Sequence, residues 1–416
     1  MTEAPPRPAN DTMGLAADAA EHFLARAAEI EPTLRAFRSI DADRLRADAA
    51  ALDALPETRR GPLHGMLLAA KEVFDVGGYV CGWGTPIHDG RRPATDARAV
   101  ARLRAAGALV AGITVSSEYA LSRTGPTTNP FDPARTPGAS SQGSAAAVGA
   151  GLVPAALGSQ TIGSIIRPAS YCGCIGFKPT WGVIDLGGAM PLSGMLDHVG
   201  FLAADPKVAG ALMDVLMPVM AGEPVGLPVT ATVLRPWYPD GAAPAVMAAL
   251  DGTADHLRAR DIEVDDGMLP DGVADQEAGL IDVLLAHDMA NHHGGDFDAQ
   301  GEKMSDRVRD YITRGRMMTA ADYAAALTGR DKIAAALDDW IGDGVVLMPA
   351  TVDVAPLLSE GTGPREPQRL WTLGGQPAMT VPVTRSNGLP IGVQVIARRG
   401  ADRRVLAVAA LLFNNA

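Results

Sequence analysis

The sequence predicts an α/β protein in which helices pack on the faces of a β-sheet. The chain has 416 residues, 47% of them hydrophobic, which is enough to bury a large core. Short apolar runs bounded by glycine alternate with amphipathic stretches, as in β-α-β units. No stretch marks a clean domain boundary, so we expect one large domain. Within it, residues 1–60 form a helical region that packs on a core of residues 61–416.

The first elements are two helices and a strand. Apolar side chains recur at helical spacing over residues 13–30. Asp41 is a suitable N-cap for a second helix that ends near Leu55. The apolar run at the start of GMLLAAKEVFDV then predicts a buried strand that ends near Lys71.

The alternation of helices and strands continues to the end of the chain. Asp96 is expected to cap a helix that Gly107 closes, and LVAGITV over residues 109–115 predicts the next strand. Amphipathic helices are expected between residues 205 and 340. The remaining predicted elements are a helix within 319–341, strands over 345–351, 378–384 and 389–398, and a helix from Asp402 onward.

Charge and cysteine content exclude several classes of protein. The formal net charge is −12, whereas binders of nucleic acid and of anionic membranes need clustered Lys and Arg. Three cysteines, an odd number, do not make a disulfide framework. The start of the chain lacks a signal-peptide pattern, and its apolar runs are too short to span a bilayer. We therefore expect a cytoplasmic protein without nucleic-acid or membrane partners.

Two clusters resemble ligand-binding motifs only superficially. Gly158, Gly163 and Ser164 have the spacing of a phosphate-binding loop, but a serine stands where that loop needs lysine. The histidines of HDMANHHGGD, residues 287–296, match no metal-ligand spacing, and adjacent histidines point in different directions on a helix. We expect neither a nucleotide site nor a metal site.

The serine-rich stretch over residues 158–180 contains no histidine, so a serine nucleophile there needs another base. A neutral lysine serves where burial lowers its pKa. Lys71 is the one lysine inside an apolar, strand-like run, where an unpaired charge is costly. An ion pair between Lys71 and Glu72 is the structural alternative.

Three segments resemble the amidase signature family. They are GPLHGMLLAAKEVFDV, GASSQGSAAAVGAGLVPAALGSQTIGSIIRPASYCGCIGFKPTWG, and GGQPAMTVPV followed by LPIGVQVIA, in that order. The resemblance extends from about residue 60 to the C-terminus. It implies an α/β/α sandwich around a large mixed sheet, and a cytoplasmic hydrolase of linear amides that needs no cofactor.

The resemblance also implies roles for individual residues. Ser164 is the nucleophile, Ser140 is a bridging serine after a cis peptide bond from Ala139, and Lys71 is the general base. Lys71 receives the proton of Ser164 through Ser140, an acyl-enzyme forms and ammonia leaves. The main-chain N–H groups of Thr161, Ile162 and Gly163, with that of Ser164, form the oxyanion hole. Each such donor contributes about 3–4 kcal/mol in comparable enzymes.

The sequence departs from the usual family pattern at several positions. Gln160 replaces an acid, Ile162 replaces a glycine, Ala139 replaces a glycine, and Glu72 stands where Asp is common. The arginine after the nucleophile is displaced by one place to Arg167. These features are similar to those of the malonamidase-like short-chain branch.

The displaced arginine suggests the substrate. A buried guanidinium at Arg167 matches a carboxylate bidentately, so we expect a small carboxylate-bearing amide such as malonamate, with Ser159 and Gln160 lining the same wall. An internal ion pair to Asp or Glu is the alternative for Arg167. The alternative functions are a glutamine-hydrolysing subunit of an amidotransferase, hydrolysis of ureido, aryl or aliphatic amides, and a non-catalytic binding protein. A homodimer is the expected assembly.

Overall fold

A computed structural model describes residues 16–121, 123–218 and 226–413. Its centre is one 11-stranded sheet with the strand order β1-β3-β2-β4-β6-β5-β10-β11-β9-β7-β8. The strands are β1 Phe37–Ser39, β2 Leu67–Lys71, β3 Leu109–Thr114, β4 Ala155–Gln160, β5 Ile175–Lys178, β6 His198–Ala203, β7 Thr230–Leu234, β8 Glu263–Gly267, β9 Val345–Pro349, β10 Ala378–Ser386 and β11 Leu389–Ile396. Parallel pairs adjoin antiparallel ones, which confirms the predicted α/β class and the large mixed sheet.

Helices cover the sheet. They are α1 Ala16–Leu34, α2 Ala42–Asp53, α3 Arg98–Ala105, α4 Gln142–Gly149, α5 Ile166–Tyr171, α6 Pro206–Leu216, α7 Pro244–Arg258, α8 Val273–Gln300, α9 Asp306–Met317, α10 Ala320–Ile341, α11 Glu366–Leu373 and α12 Asp402–Phe413. The predicted helices at both ends of the chain are confirmed for the described residues, while positions 13–15 lie outside them.

Two capping predictions are confirmed and one is wrong. The Asp41 side chain accepts the N–H of Arg44 at 3.1 Å and caps α2. Gly107 follows the end of α3 with a φ of +96°, the left-handed conformation that glycine adopts most readily. Asp96, however, is not the cap of α3, which starts after Ala97. Its carboxylate instead accepts the N–H of Gly77 at 2.7 Å.

Both faces of the sheet are buried, and β2 shows this within five residues. Leu68 and Ala70 belong to the larger apolar cluster, which includes residues of α3, α6 and α8 to α12. Leu67 and Ala69 belong to a second cluster, which includes residues of α1, α2 and α4. Because successive side chains of a strand point to opposite faces, this alternation places helices on both sides of the sheet.

The N-terminal segment joins the same sheet as the rest of the chain. β1 pairs antiparallel with β3, and Phe23 of α1 and Leu45 of α2 are fully buried against the second cluster. Cys81, Cys172 and Cys174 are buried and free. Among the described residues, no helix has the length and apolar character needed to cross a membrane.

Two parallel neighbours, β2 and β4, end side by side. Lys71 is the last residue of β2, and Ser159 and Gln160 close β4. The segment after β4 turns directly into α5, and Ser140 lies just before the start of α4. The carboxyl ends of parallel strands are a common location for ligand sites in α/β sheets.

Candidate active site

Lys71 is the centre of a buried cluster of hydroxyl groups. Its side chain is fully buried, and Nζ donates to Ser140 Oγ at 2.7 Å and to Ser159 Oγ at 2.8 Å. The predicted contact between Lys71 and Ser140 is therefore present across 69 residues of sequence. Ser159 is a second hydroxyl partner of the lysine, whereas the sequence had suggested for it only a place in the substrate wall.

Burial makes the amine of Lys71 easier to deprotonate. Loss of hydration lowers the pKa of its amine to about 7, and the negative charges of Asp197 and Glu72 oppose that shift. The Glu72 carboxylate accepts the main-chain N–H of Ser116 at 2.7 Å. Within the described part of the chain Glu72 forms no salt bridge with Lys71, so the ion-pair alternative does not hold there.

Ser140 follows a cis peptide bond from Ala139, as predicted. The preceding Gly138 has a φ of +82°, and a methyl group there would lie 2.8 Å from Pro168 Cα. Only glycine combines this conformation with so close an approach of two backbones. The segment that carries Ser140 is thus packed against the first turn of α5.

Ser164 lies on the loop between β4 and α5 and is 6% exposed. The N–H of Ser141 donates to Ser164 O at 3.3 Å, so the segments that carry the two predicted catalytic serines are directly bonded. Ser144, by contrast, is held by Thr114 Oγ1 at 2.7 Å and donates to Leu157 O at 2.9 Å. Ser144 is therefore a structural serine and a suitable control.

The loop over residues 161–164 presents open main-chain donors. Among the described residues, the N–H groups of Ile162, Gly163 and Ser164 have no protein acceptor. A methyl group at Gly163 would lie 2.6 Å from Gln368 Oε1, so a side chain there would displace Gln368. Ile162 keeps 7% of its surface exposed, and Thr372 Oγ1 donates to its carbonyl at 2.6 Å. Unused N–H groups in a rigid loop are what an oxyanion hole requires.

The side-chain amide of Gln160 forms hydrogen bonds with other residues of the protein. Its Oε1 accepts the N–H groups of Ile165 at 2.8 Å and Ile166 at 3.0 Å, and its Nε2 donates to Thr372 Oγ1 at 3.0 Å. The side chain is 1% exposed. Gln160 therefore fixes the turn that carries Ser164, whereas the sequence had suggested that it lines the substrate wall.

Arg167 also differs from its expected placement. Nη1 donates to Gly363 O at 2.6 Å, and Nη2 donates to Ala139 O at 2.6 Å. The side chain is fully buried, and the loss of hydration lowers the pKa of its guanidinium to about 10. Both terminal nitrogens thus bind main-chain carbonyls, one of them next to Ser140. The expected contact with a substrate carboxylate stays a prediction, and such a carboxylate would have to compete with these two hydrogen bonds.

Asp197 is a functional candidate that reasoning from the sequence missed. Its Oδ1 accepts the hydroxyl of Thr161 at 2.6 Å, and its Oδ2 accepts the N–H groups of Leu192 at 2.7 Å and Ser193 at 2.9 Å. It is 8% exposed, and burial raises its pKa to about 6. The available signal was an acid in PLSGMLDHVGFLA, just before the buried strand β6.

Two buried histidines lie within hydrogen-bond distance of main-chain carbonyl groups. His198 Nδ1 lies 2.7 Å from Leu196 O, and His293 Nε2 lies 2.7 Å from Pro191 O. Burial lowers the pKa of both imidazoles, that of His293 to about 4. Neither forms a hydrogen bond with Ser140 or Ser164, whereas Lys71 Nζ bonds Ser140 Oγ.

Comparison with known proteins gives a consistent result. A family model described as Amidase matches residues 18–406, so the similarity begins well before the expected residue 60. The chain is 33% identical to AtzE, a subunit of the 1-carboxybiuret hydrolase of Pseudomonas sp. (strain ADP), over a gapped alignment of 429 positions. The match covers 92% of this chain and 91% of that protein.

Two further relatives agree. A glutamyl-tRNA(Gln) amidotransferase subunit of Thermus thermophilus is 31% identical over a gapped alignment of 452 positions, and the match covers 96% of this chain and 93% of that protein. The crystal structure of an amidase superposes with a TM-score of 0.85 and 32% identity, covering 96% of each chain. The chain therefore belongs to the amidase signature family of amide-cleaving hydrolases.

Proposed function

We propose that this amidohydrolase cleaves the C–N bond of a small carboxylate-bearing amide, with Ser164 as nucleophile, Ser140 as proton bridge and Lys71 as base. One observation carries the proposal. A fully buried lysine with a pKa lowered to about 7 donates a hydrogen bond to Ser140, whose segment is bonded to that of Ser164. A neutral amine in that position accepts a proton from the serine pair at physiological pH.

The first half of the reaction forms an acyl-enzyme. Neutral Lys71 accepts the proton of Ser140 as Ser140 takes the proton of Ser164, and Ser164 Oγ attacks the amide carbonyl. The N–H groups of Ile162, Gly163 and Ser164 receive the resulting oxyanion. Such donors act on charge that exists only in the transition state, and each contributes about 3–4 kcal/mol in comparable enzymes.

The second half releases the products. Protonated Lys71 returns its proton through Ser140 to the leaving nitrogen, which departs as ammonia. Water then attacks the ester at Ser164, the same base accepts the proton of the water and returns it through Ser140 to Ser164 Oγ, and the acid product leaves. Ser159 holds the amine of Lys71 from a second direction, at 2.8 Å, and so fixes its position during both proton transfers.

The carboxylate of the substrate needs a cation with free donors, and Arg330 fits better than Arg167. Arg330 is 3% exposed, and among the described residues its Nε and Nη2 have no hydrogen-bond partner. Its guanidinium stacks over Trp181, 4.6 Å from the ring centroid. The main-chain N–H of Trp181 donates to Gly375 O at 3.0 Å, and the main-chain N–H of Gly375 donates to Thr372 O at 3.2 Å. The hydroxyl of Thr372 in turn donates to the carbonyl of Ile162.

Open donors on a buried guanidinium favour an anionic ligand, because leaving them unpaired is costly. The nearly complete burial of Ser164 and Ile162, 6% and 7% exposed, favours a short substrate. Both observations support a small amide acid over aryl amides or long aliphatic amides.

A subunit role is the second candidate. Two of the relatives are named as subunits, one of a hydrolase and one of an amidotransferase. Under this alternative the same site would release ammonia for another chain. Co-purification of a partner that raises the rate would favour it, whereas full activity of the isolated chain favours the hydrolase. The cytoplasmic location and the homodimer stay predictions.

The experiment is an ammonia-release assay over malonamate, succinamate and the neutral amides of matching length. We expect turnover of the amide acids that is lost in Ser164→Ala and retained in Ser144→Ala. Arg330→Met should lower kcat/KM for the amide acids by about 10- to 100-fold, because charged hydrogen bonds contribute about 1.5–3 kcal/mol, while neutral amides are unaffected.

The matched control is Arg398→Met, which removes an arginine exposed at the surface and paired with Asp343 at 3.2 Å. Equal losses on anionic and neutral amides in Arg330→Met would reject the carboxylate assignment. No turnover of any amide by the wild-type chain would reject the hydrolase itself.

A further inference from the structure

Asp197 connects the two halves of the proposed catalytic machinery. It lies in the loop before β6, bonds the segment over residues 161–164 through Thr161, and exerts an electrostatic effect on Lys71. Both of its oxygens are used, and the carboxylate is 8% exposed. The proposed chemistry assigns no role to it, although it is a buried titratable group whose charge acts on the base.

The first connection is mechanical. The hydroxyl of Thr161 donates to Asp197 Oδ1 at 2.6 Å, and Thr161 directly precedes Ile162 in the loop that carries the open N–H groups. A hydrogen bond to an ionised carboxylate is stronger than a hydrogen bond between two neutral groups. The carboxylate in turn is fixed by the main-chain N–H groups of Leu192 and Ser193. The loop is therefore anchored to a rigid point.

The second connection is electrostatic. Among the charged groups that act on Lys71, the carboxylate of Asp197 has the largest effect on the pKa of the amine, and it favours the protonated form. Glu72, next to the lysine in sequence, acts in the same direction with a smaller effect. Ser193 links Asp197 to Asp288 of α8, because its main-chain N–H donates to Asp197 Oδ2 at 2.9 Å and its hydroxyl donates to Asp288 Oδ2 at 2.7 Å.

We propose that Asp197 is a positioning residue that holds the oxyanion loop in place through Thr161, and that its negative charge also acts on Lys71. The inference rests on the proposed function and adds to it a residue that contacts no reacting atom. Without the charge of Asp197, only the smaller effect of Glu72 opposes burial, and Lys71 loses its proton at a lower pH. Without the anchor, the open N–H groups lose their fixed position.

The test separates the two connections with Asp197→Asn and Thr161→Val. Asparagine keeps the shape of the side chain and removes the charge. We expect the acidic limb of the pH profile of kcat/KM to move about 1 unit toward lower pH, since a nearby opposite charge shifts a pKa by about 1–3 units. We also expect kcat to fall. Valine at position 161 removes the anchor and retains the carboxyl group of Asp197, so kcat should fall about tenfold while KM stays unchanged.

The chain offers a matched pair of controls at a second buried lysine. Asp402 is fully buried and accepts the main-chain N–H of Thr180 at 2.7 Å and the hydroxyl of Thr180 at 2.6 Å, and its charge acts on Lys178 instead of Lys71. Asp402→Asn and Thr180→Val remove equivalent bonds away from the site. Both should leave the acidic limb and kcat unchanged once folding has been verified by circular dichroism.

The outcomes are distinct. A limb in Asp197→Asn that coincides with that of the wild type would overturn the electrostatic part. A kcat in Thr161→Val equal to that of Thr180→Val would overturn the anchor, and this arm remains decisive if Asp197→Asn does not fold. Failure of the proposed function would look different, as a wild-type chain that turns over no amide.

Discussion

Two buried lysines of this protein share their position in a strand, their burial and their basicity, but not their partners. Lys71 ends β2 and Lys178 ends β5, both side chains are fully buried, and burial lowers the pKa of each to about 7. Lys71 donates to two serine hydroxyls, whereas Lys178 donates to the main-chain carbonyls of Pro179, at 3.0 Å, and Gln376.

The difference shows that a lowered pKa does not by itself make a catalytic base. A hydroxyl both donates and accepts, so it passes a proton on, whereas a carbonyl only accepts. Lys71 is thus connected to Ser140 and onward to the segment of Ser164, while Lys178 ties the end of β5 to the segment before β10. Perturbed pKa values occur at functional sites and at structural sites alike, and the partners distinguish the two.

The largest expected effect separates the two lysines by activity. Lys71→Met should lower kcat/KM by about 10³- to 10⁴-fold, because the general base is lost while the apolar stem is retained. Lys178→Met should leave kcat/KM within about threefold, because it removes no reacting group. Steady-state kinetics on a single amide, with folding checked by thermal melts, makes the measurement. Equal losses in the two variants would mean that Lys71 acts only as a structural residue.

A smaller effect should appear in stability. Both lysines have a lower pKa when folded than when unfolded, so the unfolded chain binds more protons between about pH 7 and pH 10. The free energy of unfolding therefore rises with pH across this window, by about 2 kcal/mol per lysine from pH 7 to pH 9. Well below pH 7 both lysines are protonated in the folded and the unfolded chain, so their contribution no longer changes with pH.

Lys178→Met should remove the share of Lys178 from that rise. Urea unfolding of the variant and the wild type at pH 7 and pH 9 measures the difference, and titrations common to both chains cancel. An identical rise in both proteins would show that Lys178 remains protonated in the folded state.

The fold and the first contacts of the site were predictable from sequence for physical reasons. Glycine-bounded apolar runs specify buried strands, so the end of β2 at Lys71 was foreseen. The contact of Lys71 with Ser140 and the cis bond before Ser140 followed from the resemblance, and both are present. These features depend on local composition or on motif segments that retain their order.

The remaining features depend on where side chains meet across the fold. Arg167 is three residues after Ser164, and its spacing suggested a substrate contact. Its guanidinium instead reaches Gly363, 196 residues further along the chain. Thr161 and Asp197 meet across 36 residues, and no local pattern marks that bond. Gln160 looked like a wall of the pocket because sequence does not show that its amide oxygen faces the turn of α5.

The most direct test of the proposed chemistry is the pH dependence of the phosphonylation of Ser164 by a fluorophosphonate, in which the serine oxygen displaces fluoride, followed by peptide mass spectrometry. In the wild type the rate should rise about tenfold per pH unit up to about pH 7 and then level, because Lys71 must lose its proton first. In Lys71→Met this limb should disappear and the remaining rate should be low at every pH. Labelling of another serine, or an unchanged limb in Lys71→Met, would contradict the assignment of Ser164 and Lys71.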